Sequence, residues 1–167
     1  MHLHKYEKYW LGAGIVGLIA FLLILAFGAF YLGTHPQSHG ELIDPENIEA
    51  NMNFQADNLG LTEVREGEYV LNIVASAFNY NMGTDEEGTP VKHIELPAGS
   101  KLLVQSTSPD VVHGLNFAGT NINMMVEPGY VSKIEVELNN PGEYTLVCNE
   151  YCGVGHHLMY GTLEVVE

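Results

Sequence analysis

The sequence predicts an all-β sandwich preceded by one membrane-spanning helix. Three observations carry this. Trp10 to Gly33 is a run of 24 residues without a charge. After it, short runs of β-branched and aromatic residues recur between turn signals. Within one of these runs, Lys133, Glu135 and Glu137 alternate with Ile134, Val136 and Leu138, the period of a strand with one wet face and one buried face. A chain of 167 residues has room for one compact domain and an appendage.

Residues 1–9 form a short amino-terminal segment in which Lys5 and Lys8 outweigh Glu7. His2 and His4 read as part of a solvated terminus rather than as a metal-binding start. A helix over residues 10–33 would reach ~36 Å at ~1.5 Å per residue, enough to cross the ~30 Å hydrocarbon core of a bilayer. Tyr9, Trp10 and Tyr31 stand where interfacial aromatics anchor a span. A cleaved signal peptide is the alternative, but the apolar run exceeds the ~7–15 residues of a typical signal core. Beyond Gly33 the chain carries 20 acidic residues against 4 basic ones. The positive-inside bias therefore puts residues 1–9 in the cytoplasm and residues 34–167 outside, a single pass through the cell membrane.

Residues 34–67 read as a polar linker. Asp44-Pro45-Glu46 resembles an N-cap with proline in the first turn, so one helical turn is expected around Pro45 to Met52. Residues 68–167 hold the expected strands: Tyr69 to Ala75, Lys92 to Leu96, Lys101 to Ser106, Val112 to Phe117, Ile122 to Val126, Val131 to Leu138, Tyr144 to Cys148 and Thr162 to Val166. Pro-Gly turns at 97–99, 127–129 and 140–142 punctuate them. Eight strands in about 100 residues indicate an antiparallel sandwich. The acidic segment from Asn81 to Pro90 reads as a solvated loop. A formal net charge of −15 repels phosphate, so nucleic acid and anionic lipid surfaces are poor partners. Salt adaptation or an acidic docking face for a basic partner would each account for that charge.

One constellation carries chemistry. Cys148, Cys152, His156 and Met159 stand in a C-x3-C-x3-H-x2-M pattern, and His113 lies on a neighbouring expected strand. Thiolate and thioether are soft donors and imidazole is borderline, so the set favours copper over magnesium or calcium. A mononuclear blue copper site needs a single cysteine. Two cysteines can instead bridge two copper ions, each completed by one histidine, with Met159 and a backbone carbonyl as weak outer donors. Such a site needs no open position and would pass electrons without binding substrate. Outside the cytoplasm two cysteines are by default a disulfide, but the offsets of His156 and Met159 and the presence of His113 favour copper. Zinc is the other metal option, although methionine suits it poorly and paired C-x2-C spacing is absent. No acid-base or nucleophile constellation accompanies the pattern, so no catalytic residue is expected in this chain.

The run from Cys148 to Met159, with Tyr160-Gly161-Thr162, Ser108-Pro109-Asp110-Val111-Val112-His113-Gly114 and Gly119-Thr120-Asn121-Ile122-Asn123, resembles subunit II of the heme-copper cytochrome c oxidases. The single amino-terminal span is similar to the B-type enzymes. The resemblance implies a cupredoxin-like Greek-key sandwich carrying a dinuclear copper A centre. Cys148 and Cys152 would bridge, His113 and His156 would be terminal, and Met159 and the Glu150 carbonyl would be weak ligands. It implies electrons accepted from a soluble cytochrome c or small blue copper protein and passed to the heme of subunit I, where oxygen is reduced. Phe78 and Tyr80 match an aromatic segment that in relatives lies near the donor-docking surface. Glu150 matches the A-type pattern, in which the side chain helps hold magnesium at the subunit I interface. Three alternatives stay open: the copper A subunit of a nitric oxide reductase, a membrane-anchored copper carrier, and a disulfide-stapled structural subunit.

Overall fold

The computed structural model describes residues 4–32 and 38–167. His2, Gly33 and the first residues of the expected linker lie outside them. The chain divides into two compact units, Met1–His35 and Pro36–Glu167.

The first unit is a single helix, α1 (Lys5–Tyr31). It begins at Lys5 rather than Trp10 because Glu7 offers its carboxylate to the otherwise unpaired His4 amide at 2.7 Å, which caps the first turn. Its apolar residues surround the axis without a polar stripe, the pattern of a helix meeting apolar surroundings on all sides. At 27 residues it is long and apolar enough to cross a membrane.

The second unit is a sandwich of two sheets. The strands are β1 (Ser38–Leu42), β2 (Gly60–Arg65), β3 (Glu68–Ser76), β4 (Asn79–Asn81), β5 (His93–Pro97), β6 (Ser100–Thr107), β7 (His113–Phe117), β8 (Asn123–Val126), β9 (Tyr130–Leu138), β10 (Gly142–Val147) and β11 (Tyr160–Val166). The first sheet has the order β1-β9-β6-β3-β2, with β4 also paired to β3; the second runs β5-β11-β10-β7-β8. All eight expected strands are present within a few residues of their expected bounds. The expectation of wholly antiparallel pairing is corrected at two places, since β3 runs parallel to β6 and β5 parallel to β11. Sequence alternation reports which face a residue takes and is silent on strand direction. The result is the expected β-sandwich of two sheets.

The core lies between the sheets. Leu71, Ile73, Leu102, Val104 and Ile134 from one face meet Leu96, Leu115, Phe117, Leu146 and Leu163 from the other. The linker expected over residues 34–67 is corrected more thoroughly. It contains β1, β2 and three single 3-10 turns, Ile48–Ala50, Met52–Phe54 and Ala56–Asn58, in place of one helical turn. Asn51 accepts a bond from the Asn53 amide at 3.0 Å and Asn58 donates to the Met52 carbonyl at 2.7 Å. These local side-chain bonds compete with a continuous helix. The segment covers the outer face of the first sheet, where Phe54 and Ile43 pack on Val74 and Val131. Strand β3 is therefore buried on both faces from Leu71 to Ala75. The apolar anchors Ile43, Ile48, Phe54 and Leu59 have no regular spacing, so periodicity does not reveal them.

The segment from Asn81 to Pro90 is solvent-facing beyond Gly83 but is not structureless. Asp85 accepts bonds from the amides of Glu87 and Thr89 at 3.0 and 2.7 Å, fixing the turn as an Asx motif.

Candidate metal centre

The expected ligands come from one strand and one loop. Strands β10 and β11 are paired to their ends, where Val147 faces Tyr160, so the intervening loop of Cys148 to Met159 leaves and re-enters the sheet at one rung. His113 is the first residue of β7, which pairs with β10 through Leu146–Phe117 and Val147–Asn116. This brings His113 to the same end of the sheet as the loop.

The side chains converge there. His113, Cys148 and Cys152 are buried, with their donor atoms within 4.8 Å of one another. The two sulfurs are 3.8 Å apart and both cysteines are free thiols. The Cys148 sulfur lies 3.1 Å from the Glu150 carbonyl oxygen. The Cys152 sulfur lies 3.6 Å from Nδ1 of His156 and 3.9 Å from the sulfur of Met159. All six expected residues thus meet in one group, Glu150 through its backbone.

His113 is fully buried, and only one of its ring nitrogens is satisfied. Nε2 lies 2.8 Å from the Asp110 carboxylate, whereas Nδ1 has no hydrogen-bond partner among the described residues. A buried polar nitrogen without a partner is costly unless something else occupies its lone pair. A borderline metal ion meets that need, with Asp110 orienting the ring from behind. Asp110 is itself anchored by the amides of Ala77 at 2.6 Å and Val111 at 2.7 Å. Burial works to raise its pKa, but the His113 contact, these amides and Ser108 outweigh it and bring the carboxyl down to about 2. Burial, reinforced by Cys148, pushes the Cys152 thiol up. Protein groups alone therefore disfavour its thiolate, and a cation is the natural counterpart. The donor set and the orphaned nitrogen both fit copper.

Close packing holds the loop in place. A side chain at Gly114 would collide with the Asn149 side chain and come within 2.8 Å of the Glu150 amide nitrogen. A β-carbon at Gly155 would fall 2.6 Å from the ring of Phe78, and one at Gly153 3.1 Å from it. These glycines let the loop close over Phe78. Phe78 itself has φ +70°, a conformation uncommon for a bulky residue and one kept only where surrounding packing fixes it.

Phe78 is half-buried beneath the loop, and Tyr80 is 2% exposed. Of the two residues expected near a docking surface, Tyr80 turns its phenol inward and donates to the Gly114 carbonyl. The alternating burial of β4 turns it to the core. The outward surface at this end is instead formed by Tyr151, Val154 and Leu158, exposed at 79%, 86% and 59%. Apolar residues flanking ligands inside a loop were the available signal for this surface, which sequence analysis passed over. Asp110 was likewise missed as the partner of His113, although it stands three residues away. His157 is exposed, Met124 is in the core and Met125 is on the edge strand β8.

A second group of potential ligands lies elsewhere on the same sheet. His93 is 3.7 Å from Glu95 and 3.2 Å from Glu164, on β5 and β11. This group faces solvent.

Comparison with known proteins agrees with this picture. Residues 81–166 match the family model of the cytochrome c oxidase subunit II periplasmic domain. The chain is 34% identical over 164 residues to a cytochrome c oxidase subunit 2 of Thermus thermophilus, covering 97% of this chain and 92% of the relative. A second Thermus thermophilus subunit 2 sequence is 35% identical over 144 residues, covering 83% of this chain and all of the relative. Among solved structures, the chain resembles one chain of a heme-copper terminal oxidase dimer with a TM-score of 0.76 and 31% identity, covering 97% of this chain and 100% of that one.

Proposed function

Because the chain belongs to the cytochrome c oxidase subunit II family, we propose that it is the electron-accepting subunit of a respiratory heme-copper oxidase. Cys148 and Cys152 would bridge two copper ions, completed by His113 through Nδ1, by His156, and weakly by Met159 and the Glu150 carbonyl. The observation that supports this most directly is the unpartnered Nδ1 of a fully buried histidine beside two free thiols. The pair of copper ions would supply one-electron exchange, shared over both metals.

The protein's own residues serve that exchange by fixing positions and excluding water. Asp110 orients His113, Phe78 supports the loop from beneath, and the sandwich core seals the inner side. Tyr151, Val154 and Leu158 form an apolar surface beside the ligands, suited to a soluble cytochrome c or small blue copper protein, because brief encounters tolerate few fixed charges at the contact centre. Onward transfer would go to the heme of subunit I, with α1 in the membrane and the sandwich on the extracytoplasmic side. The Glu150 side chain is a candidate magnesium ligand at the subunit I interface; unchanged interface metal in the intact complex carrying Glu150→Gln would reject it.

The test uses the full chain in detergent, loaded with copper. Two coppers per chain and an electron paramagnetic resonance pattern of one electron shared equally by two copper nuclei are expected. A single-copper pattern, or copper lost readily to a chelator without a delocalised spectrum, would overturn the relay reading in favour of a copper carrier.

A further inference from the structure

Strand β3 ends at Ser76 and β4 begins at Asn79, and these two residues face each other across the pair. Ala77 and Phe78 therefore make the whole turn between the strands. Phe78, the second of them, has φ +70°. A second turn residue with positive φ is ordinarily glycine or asparagine, because a bulky side chain there costs about 1–3 kcal/mol. Phenylalanine gives up turn stability that glycine would supply, so a contact of its ring elsewhere has to offset the loss.

That contact is with the ligand loop. A β-carbon on Gly155 would lie 2.6, 2.8 and 2.9 Å from Cγ, Cδ2 and Cδ1 of Phe78, and one on Gly153 would lie 3.1 Å from Cε1 and Cζ. The two glycines thus rest along the length of the ring. Gly153 follows Cys152 and Gly155 precedes His156, so the ring underlies the half of the loop that carries these two ligands. The other half is held by the second sheet: Asn149, next to Cys148, donates to the Asn123 side chain at 3.0 Å and abuts Gly114. His113 is reached from the same turn by another route. The Ala77 amide donates to Asp110 at 2.6 Å, and Asp110 lies 2.8 Å from Nε2 of His113. Two adjacent residues, neither of them a ligand, therefore bear on both histidine positions, Ala77 through its backbone and Phe78 through its ring.

We propose that Phe78 is a positioning residue for the metal centre, its ring fixing the Cys152–His156 half of the loop relative to the His113 half so that the two metal positions are matched. This rests on the copper-centre reading above. One electron is shared equally between two metals only when their surroundings are alike, since a difference in donor distance favours one of them. Removing the ring leaves the Ala77, Asp110 and His113 contacts in place and disturbs the His156 side alone. The pair then becomes unequal.

The experiment compares wild type, Phe78→Leu and Phe54→Leu as full chains in detergent, loaded with copper. Phe54 is 1% exposed and packs on the outer face of the first sheet, so its replacement is the control for a lost buried ring. Copper per chain, the hyperfine pattern, copper affinity by competition with EDTA and thermal unfolding of the copper-free chains are read. Both variants are expected to unfold at lower temperature. Phe78→Leu should hold two coppers with unequal hyperfine couplings and about tenfold weaker affinity, while Phe54→Leu keeps the wild-type spectrum and affinity. Equal couplings and unchanged affinity in Phe78→Leu, or the same change in Phe54→Leu, overturn the role of Phe78 and leave the relay reading standing. Failure of the wild-type protein to hold two coppers overturns the relay reading itself. Should Phe78→Leu fail to fold or to hold two coppers, Phe78→Gly, in which the turn is relieved of its strain, is read by the same criteria.

Discussion

Two groups of ligand-type side chains sit on the same sheet, each with three donor atoms within 4.8 Å of one another, and they differ in everything that turns proximity into a site. His113, Cys148 and Cys152 are buried, one nitrogen is left without a partner, and the loop that carries two of them is packed against Gly114 and Phe78. His93, Glu95 and Glu164 face solvent, and the histidine already has both carboxylates within 3.7 Å. The first group has been organised ahead of its ligand by packing. The second is satisfied by itself and by water, as exposed ion pairs commonly are. Closeness of donors is therefore a weak criterion; an unsatisfied buried donor in a tightly packed frame is a strong one.

The largest effect should come from removing a shared donor of the buried group. Cys152→Ser should hold fewer than two coppers per chain and lose the delocalised signal, whereas His93→Ala should keep both coppers; metal analysis of the two variants side by side would break the comparison if they behaved alike. Next comes the frame. Gly114→Ala forces a β-carbon into Asn149 and Glu150, an overpacking that costs about 1–3 kcal/mol or somewhat more, and should speed copper loss to a chelator. Gly155→Ala meets the Phe78 ring rather than backbone, and a ring can shift, so its cost should fall at or below the lower end of that range. Thermal unfolding of the copper-free chain measures both.

The exposed side supplies the small effects. Glu41 is bonded to Lys133 at 2.7 Å, and that bond, opposed by burial and aided by Asn51, lowers its pKa below the ordinary 4.5. A depressed carboxyl contributes stability that is present above 4.5 and is lost as pH falls through the folded value. Glu41→Gln should therefore cost less than about 1 kcal/mol at pH 7, with the difference vanishing in acid, as read from urea unfolding at the two pH values. Smallest of all, Glu164→Gln should leave stability within about 0.5 kcal/mol of wild type and the copper spectrum unmoved.

The same contrast explains what the sequence made legible. Side chains with rare chemistry at short spacing, Cys148, Cys152, His156 and Met159, announce themselves because the loop that joins them is local. His113 was reachable as well, since the expected strands put it next to the loop. Strands with clean alternation, such as β9, were read directly. What escaped depends on contacts between distant segments. Strands β1 and β2 hide in a stretch where anchors such as Phe54 follow no period, because that segment folds against a sheet face rather than along an axis of its own. The inward turn of Tyr80 depends on its contact with Gly114, 34 residues along the chain, whereas the backing of His113 by Asp110 is local and carries no distinctive spacing signal. Neither the direction of pairing in β3–β6 nor that in β5–β11 is encoded in hydrophobic alternation.

The ligand-bearing loop starts and finishes on a single rung, Val147 opposite Tyr160, so its ends are tied by the sheet whatever lies between them. Lengthening or rewriting that insert leaves strand register untouched, and closing a longer excursion adds little entropy. Selection can thus revise donor spacing, potential and docking surface as a replaceable cartridge while the sandwich that receives it is inherited unchanged.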